Sequence, residues 1–97
     1  MTSMVSLVIM GDPPLAIDDR SREPSYRQLA DQLRERIRDG RIGPGDALPS
    51  ITQLTGETGL AVQTVRRAIA VLADEGWAVV VPGRGTFAAE KPPGGPI

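Results

Sequence analysis

The sequence predicts a mainly α domain with a small β-hairpin, an α+β arrangement of three helices followed by two strands. Three observations carry this. Apolar residues recur at helical spacing in two long segments, Tyr26 to Ile37 and Val65 to Ala73. A short helical segment between them ends near Thr58, and the Gly59-Leu60-Ala61 turn leads directly into the next helix. After Gly76 the period changes. Trp77-Ala78-Val79-Val80-Val81 and Thr86-Phe87-Ala88 are β-rich and flank the turn Pro82-Gly83-Arg84-Gly85.

Taken in order, residues 1–24 read as an irregular N-terminal tail, with Leu15-Ala16-Ile17 as a short edge strand within it. The apolar run Val5 to Met10 has no basic stretch before it and Gly11-Asp12-Pro13-Pro14 behind it. It is too short for a signal peptide or a membrane span. Met4 and Met10 are alternative starts to Met1. Residues 25–89 form the folded domain. The first helix runs from about Ser25 to Asp39, with Ser25 as N-cap behind Pro24. Its apolar stripe is Tyr26, Leu29, Ala30, Leu33 and Ile37, and Gly40 ends it. Arg41 to Asp46 is a turn cluster and Ala47-Leu48 a short strand. The second helix follows Pro49, where Ser50 and Gln53 have capping-box spacing. Ile51 and Leu54 face inward, and Gly56 weakens this helix by about 1 kcal/mol relative to alanine. The third helix buries Val65, Ala68, Ile69, Leu72 and Ala73 and stops at Gly76, a left-handed terminator. Residues 90–97, with Lys91-Pro92-Pro93-Gly94-Gly95-Pro96, read as a disordered C-terminal tail.

Ninety-seven residues make one small domain with a modest core, which favours self-association. Eleven basic and twelve acidic residues leave a net charge of -1, which argues against a nonspecific polyanion binder. The distribution says more. Every basic residue except Lys91 is an arginine, and Val62 to Ala73 contains Arg66 and Arg67 but no acid. Arginine suits bidentate recognition of phosphate and guanine. The chain has no cysteine and no histidine. Disulfides, thiolate or imidazole metal sites and Cys or His nucleophile-base pairs are therefore excluded. No inward-facing carboxylate pair stands out, and Gly83-Arg84-Gly85 is too short for a phosphate-cradling loop. The expectation is a cytoplasmic protein that is not an enzyme, with no cofactor, no metal and no membrane partner.

Helix, short strand, helix, turn, helix, hairpin is the order of a winged helix-turn-helix. The motifs go further. Tyr26-Arg27-Gln28-Leu29-Ala30-Asp31-Gln32-Leu33, the Pro44-Gly45-Asp46-Ala47-Leu48-Pro49-Ser50 turn, Thr64-Val65-Arg66-Arg67-Ala68-Ile69-Ala70-Val71-Leu72 and Gly83-Arg84-Gly85-Thr86-Phe87 resemble the GntR family of bacterial transcription regulators. The resemblance covers about Leu15 to Ala89. It is specific because the turn motif and the wing motif occur together at the expected separation. It implies binding to a double-stranded DNA operator, usually as a homodimer, with the recognition helix in the major groove and the wing tip in the minor groove. Thr64 and Arg66 match recognition-helix positions used on phosphate and bases. Gly83, Arg84, Gly85 and Thr86 match the wing tip, and Ser50 matches the helix start that sits over the backbone. The sequence departs from the family pattern at Ile51-Thr52, where Glu-Arg often follows the serine. It departs again at Ala61-Val62, where Ser-Arg often stands, and at Thr58, where a larger apolar residue is usual. Most of the family carries a C-terminal effector or dimerisation domain. This sequence stops after the wing, so no small-molecule effector domain is expected.

The expected DNA-binding set is Ser50, Gln63, Thr64, Arg66, Arg67, Gly83, Arg84, Gly85 and Thr86. In isolation Arg66 and Arg67 read as a solvated helix face. The glycine turn before them and the wing after them favour DNA contact for Arg66 and leave Arg67 balanced between the two. Gln63 and Thr64 lie on the projecting face. Arg84 stands between glycines that permit positive φ and close approach, and a narrow minor groove attracts arginine. Ser50 is chiefly a helix cap. Tyr26 and Trp77 read as packing residues and Phe87 as core. The leading function is a sequence-specific DNA-binding transcriptional regulator. The alternative is a protein-interaction module that retains the winged-helix fold without reading DNA.

Overall fold

The computed structural model describes residues 15–93. The starts at Met1, Met4 and Met10, the apolar run from Val5 and residues 94–97 of the C-terminal tail lie outside the described residues. Helix α1 spans Ser25–Arg38, α2 Ile51–Thr58 and α3 Val62–Asp74, and strands β1 (Ala78–Val81) and β2 (Gly85–Ala88) form an antiparallel hairpin. The three helices with a hairpin wing match the architecture expected from the sequence.

The periodicity of α1 buries Leu29, Ala30, Leu33 and Ile37, with Tyr26 partly buried at its start. Ser25 is not the N-cap. It is the first helical residue, and Pro24 precedes it with no side-chain cap. The Pro24 carbonyl accepts the amides of Arg27 and Gln28 at 3.0 and 3.1 Å, so the first turn closes one residue earlier than the serine suggests. In α2 the capping box forms as the spacing predicts. The Ser50 hydroxyl accepts the Gln53 amide at 3.0 Å, and the Gln53 side chain accepts the Ser50 amide at 2.8 Å. Gly59 ends α2 at φ 75°. The Thr58 hydroxyl donates to the Leu54 carbonyl at 2.7 Å and accepts the Leu60 amide at 3.1 Å. A short polar side chain thus fixes the turn into α3, which accounts for threonine at this position. At the far end of α3, Trp77 donates to the Leu72 carbonyl and Gly76 to that of Ala73. With Gly76 at φ 87° this is a Schellman terminator.

Leu29, Leu33, Leu54, Val65 and Leu72 are the largest fully buried side chains, so the core lies where the three helices meet. The hairpin closes it through Ala78 and Ala88, which pair across the strands. Phe87 is only partly buried and is not a core residue. Strand alternation explains this: Ala78, Val80, Thr86 and Ala88 share one face, so Phe87 points to the other beside its partner Val79. The strand expected at Ala47-Leu48 is reduced to a single bridge between Ala47 and Phe87, flanked by bonds from Leu48 to Thr86 and from Ala88 to Asp46.

Leu15-Ala16-Ile17 is not a strand. The segment is extended, with Leu15 buried and Ile17 packed on the core, and it runs beside α1 rather than beside another strand. A helix backbone is internally bonded and offers nothing to pair with, so side-chain amides take the partner role. Gln32 accepts the Ala16 amide at 2.9 Å and donates to the Ala16 carbonyl at 2.7 Å. Gln28, only 9% exposed, accepts the Asp18 amide and donates to the carbonyls of Asp18 and Glu23.

Candidate nucleic-acid interface

Helix α3 divides as its sequence predicts except at Ala73, which lies at its C-terminal end and is only partly buried. Val65, Ala68, Ile69 and Leu72 are buried against α1 and α2, while Val62, Gln63, Arg66, Arg67 and Ala70 are exposed. Thr64 is half-buried on the flank of that surface. Ala61 supplies no side-chain cap, so the first turn relies on its packing. Leu60 and Val65 occupy the N′ and N4 positions of a hydrophobic staple, and both pack in the core.

The two arginines of α3 have different surroundings. The Arg67 guanidinium lies 4.0 Å from the centroid of the Tyr26 ring, a close cation-π contact that ties α3 to the start of α1. Among the described residues Arg66 has no ion-pair or side-chain hydrogen-bond partner. It stands at the edge of a shallow groove of about 260 Å³ lined otherwise by Ile51, Ile69, Ala70 and Val80. This groove separates α3 from β1.

At the wing, Val81 accepts the Arg84 amide at 2.9 Å, with Pro82 and Gly83 between them and Gly83 at φ 78°. That is a type II turn, with proline and glycine in the two positions that demand them. A Cβ on Gly83 or Gly85 would meet nothing within 4 Å. Gly83 and Gly85, at φ 78° and 125°, both serve their own backbone conformation and leave the tip bare. Arg84 and Gly85 are exposed, Thr86 is half-buried, and Arg84 has no ion-pair partner among the described residues.

Four carboxylates away from this surface are ion-paired. Arg34 bridges Asp31 at 2.6 Å and Glu75 at 2.8 Å, joining α1 to the end of α3. Burial opposes the charge on Arg34, but the hydrogen bonds and fields of the two carboxylates outweigh it and raise its pKa. Arg38 pairs with Glu35 and Arg41 with Asp39. The near-neutral total therefore conceals an uneven distribution. Carboxylates are paired along α1 and at the C-terminal end of α3, while the first turns of α3 and the wing tip carry unneutralised arginine.

The structure places Gln63, Arg66, Thr64 and Arg67 on one helix, and Gly83, Arg84, Gly85 and Thr86 on one hairpin turn. Ser50 stands apart at the start of α2, with its hydroxyl engaged as an acceptor in the capping box. Residue-by-residue reading missed the roles of Gln28 and Gln32, whose i,i+4 spacing on one side of α1 was the available signal. It also left Arg67 undecided because an aromatic partner 41 positions earlier cannot be read from local pattern.

A helix-turn-helix whose second helix is exposed, backed by a third helix and followed by a hairpin wing, is the architecture of a winged-helix DNA-binding domain. The family model for bacterial regulatory proteins of the gntR family matches residues 25–88. The mannosyl-D-glycerate transport/metabolism system repressor MngR of Escherichia coli is 41% identical over 69 residues, covering 71% of this chain and 29% of that repressor. Among solved structures, YtrA from Sulfolobus acidocaldarius, a GntR-family transcription factor, is 40% identical with a TM-score of 0.73, covering 79% of this chain and 81% of that one. The AraR DNA-binding domain in complex with operator ORE1 is 30% identical with a TM-score of 0.69, covering 75% of this chain and 89% of that one. The chain belongs to the gntR family of bacterial regulatory proteins, and residues 25–88 form its DNA-binding domain. Its relatives are regulators rather than enzymes.

Proposed function

We propose that α3 enters the major groove of an operator, where Gln63, Thr64 and Arg66 meet base edges and phosphates, while Arg84 enters the adjacent minor groove from the wing. The observation that carries this is the exposure of Arg66 and Arg84 without partners, when Arg34, Arg38 and Arg41 are paired with carboxylates. The likeness to an operator-bound domain supports the same docking. Gly83, Gly85 and Thr86 shape the wing tip, and Ser50 donates its free hydroxyl proton to a phosphate while capping α2. Arg67 contributes chiefly by holding α3 against Tyr26. Two copies occupy two half-sites related by symmetry, since one α3 reads only a few base pairs. The protein then works in the cytoplasm, where the bacterial genome lies; no helix among the described residues is long and apolar enough to cross a membrane. The interaction-module reading, motivated by the near-neutral charge and the departures at Ile51-Thr52 and Ala61-Val62, is not favoured by the family match and the likeness to an operator-bound domain.

Selection of bound sequences from a random duplex pool tests the reading directly. It should return paired half-sites, and affinity should fall steeply with salt as counterions are released. Arg66→Ala should cost about 10- to 100-fold in specific affinity, corresponding to roughly 1–3 kcal/mol for a lost base contact. Arg84→Ala should reduce the preference for A/T-rich flanks and lower the salt slope by about one. Absence of duplex binding at low salt, or indifference to both changes, would sink the proposal.

A further inference from the structure

Val62 is the first residue of α3 and is 46% exposed, although it is one of the largest apolar side chains on that helix. It does not pack on the core; the staple that an apolar residue near a helix start commonly provides is formed by Leu60 and Val65. It lies one turn before Arg66, four residues away, so the two project from the same side of α3. Val62 is flanked in sequence by Ala61, which has no hydrogen-bonding side chain, and by Gln63, which is exposed. The leading end of the helix therefore presents a branched aliphatic group beside two donors.

An isolated aliphatic group on a surface aimed at a duplex can distinguish bases in only one way. It can contact the C5-methyl of thymine, the one apolar group that base pairs display in the major groove. We infer that Val62 is a specificity-determining residue that selects a thymine through its methyl group, at the end of each half-site nearest the start of α3. The inference rests on α3 lying in the major groove. Gln63 and Arg66 read donor and acceptor patterns by hydrogen bonding, whereas Val62 reads a methyl group by desolvation. Burying one methyl-sized apolar group is worth about fourfold in affinity.

The test uses the full chain and a duplex selected from the random pool. Each thymine in the half-site is replaced in turn by deoxyuridine, which removes the methyl and leaves every hydrogen bond in place. Replacement at one position should weaken binding about fourfold. Val62→Ala should bind the thymine and deoxyuridine duplexes equally while keeping its thermal midpoint, because the side chain is exposed. Val62→Arg, selected afresh, should move that position from thymine towards guanine. If no deoxyuridine replacement matters and the Val62→Ala consensus is unchanged, Val62 does not read a base. Arg66→Ala separates the two levels. A loss of affinity there with no methyl effect overturns only the role of Val62, whereas no effect of either overturns the major-groove docking as well.

Discussion

Arg66 and Arg67 are chemically identical neighbours with different surroundings. Adjacent helical residues are turned about 100° apart, so one guanidinium rests on the Tyr26 ring while the other meets solvent at the edge of the groove towards β1. The two should therefore separate by experiment. Arg67→Ala should lower stability by about 0.5–1 kcal/mol, the worth of an exposed cation-π contact, seen as a lower urea midpoint. The sequence preference selected from a duplex pool should stay unchanged. An unaltered midpoint with a changed preference would instead make Arg67 a base-reading residue. Local sequence pattern identified both arginines as outward-facing, and that was correct. It could not divide their roles, because the division depends on where the start of α1 comes to rest.

At the level of elements, signals confined to a few neighbouring residues were legible and those that depend on a distant partner were not. The Ser50-Gln53 box, the Gly59 and Gly76 terminators and the Pro82-Gly83 turn are all satisfied by atoms within about one turn of chain, so residue order nearly determines them. Leu15-Ala16-Ile17 looked like a strand because it is apolar and extended, but strand identity requires another backbone. Here Gln28 and Gln32 supply the bonds instead. Phe87 looked like core because of its size, yet the hairpin register turns Ala88 inward. Short α2 offers a direct check. Gly56 has open space at its Cβ position and does not have positive φ. Gly56→Ala should raise stability by up to about 1 kcal/mol, measured by thermal or urea unfolding. A destabilised variant would mean that this face of α2 packs against something.

For the whole molecule, the helices meet around a handful of leucines, and α2 contributes one fully buried side chain, Leu54. Its loss should therefore be felt throughout the fold. Leu54→Ala should cost about 2–5 kcal/mol, against a total of roughly 5–15 kcal/mol for a domain. The expected result is one cooperative transition at a much lower midpoint, with loss of duplex binding once the domain unfolds. Separate melting of α2, with α1 and α3 still protected from hydrogen exchange, would contradict a single shared core. The unequal distribution of charge also belongs to this scale. Arg66 and Arg84 stand without ion-pair partners among the described residues while arginines of α1 and the turn after it bridge carboxylates, so a net charge of -1 did not reveal the candidate binding face.

Helix α3 is fastened to α1 twice, by Arg67 on Tyr26 and by Glu75 on Arg34. Two attachments separated by about two turns fix both its axial position and its rotation. The exposed positions Val62, Gln63 and Ala70 take no part in either attachment and contribute nothing to the core. They are free to vary while the scaffold stays constant. Such a domain can acquire a new target by exchanging a few outward letters, one substitution at a time, without passing through an unfolded intermediate sequence. The departure at Val62 is a change of this kind, whereas the one at Ala61 leaves the start of α3 without a side-chain cap.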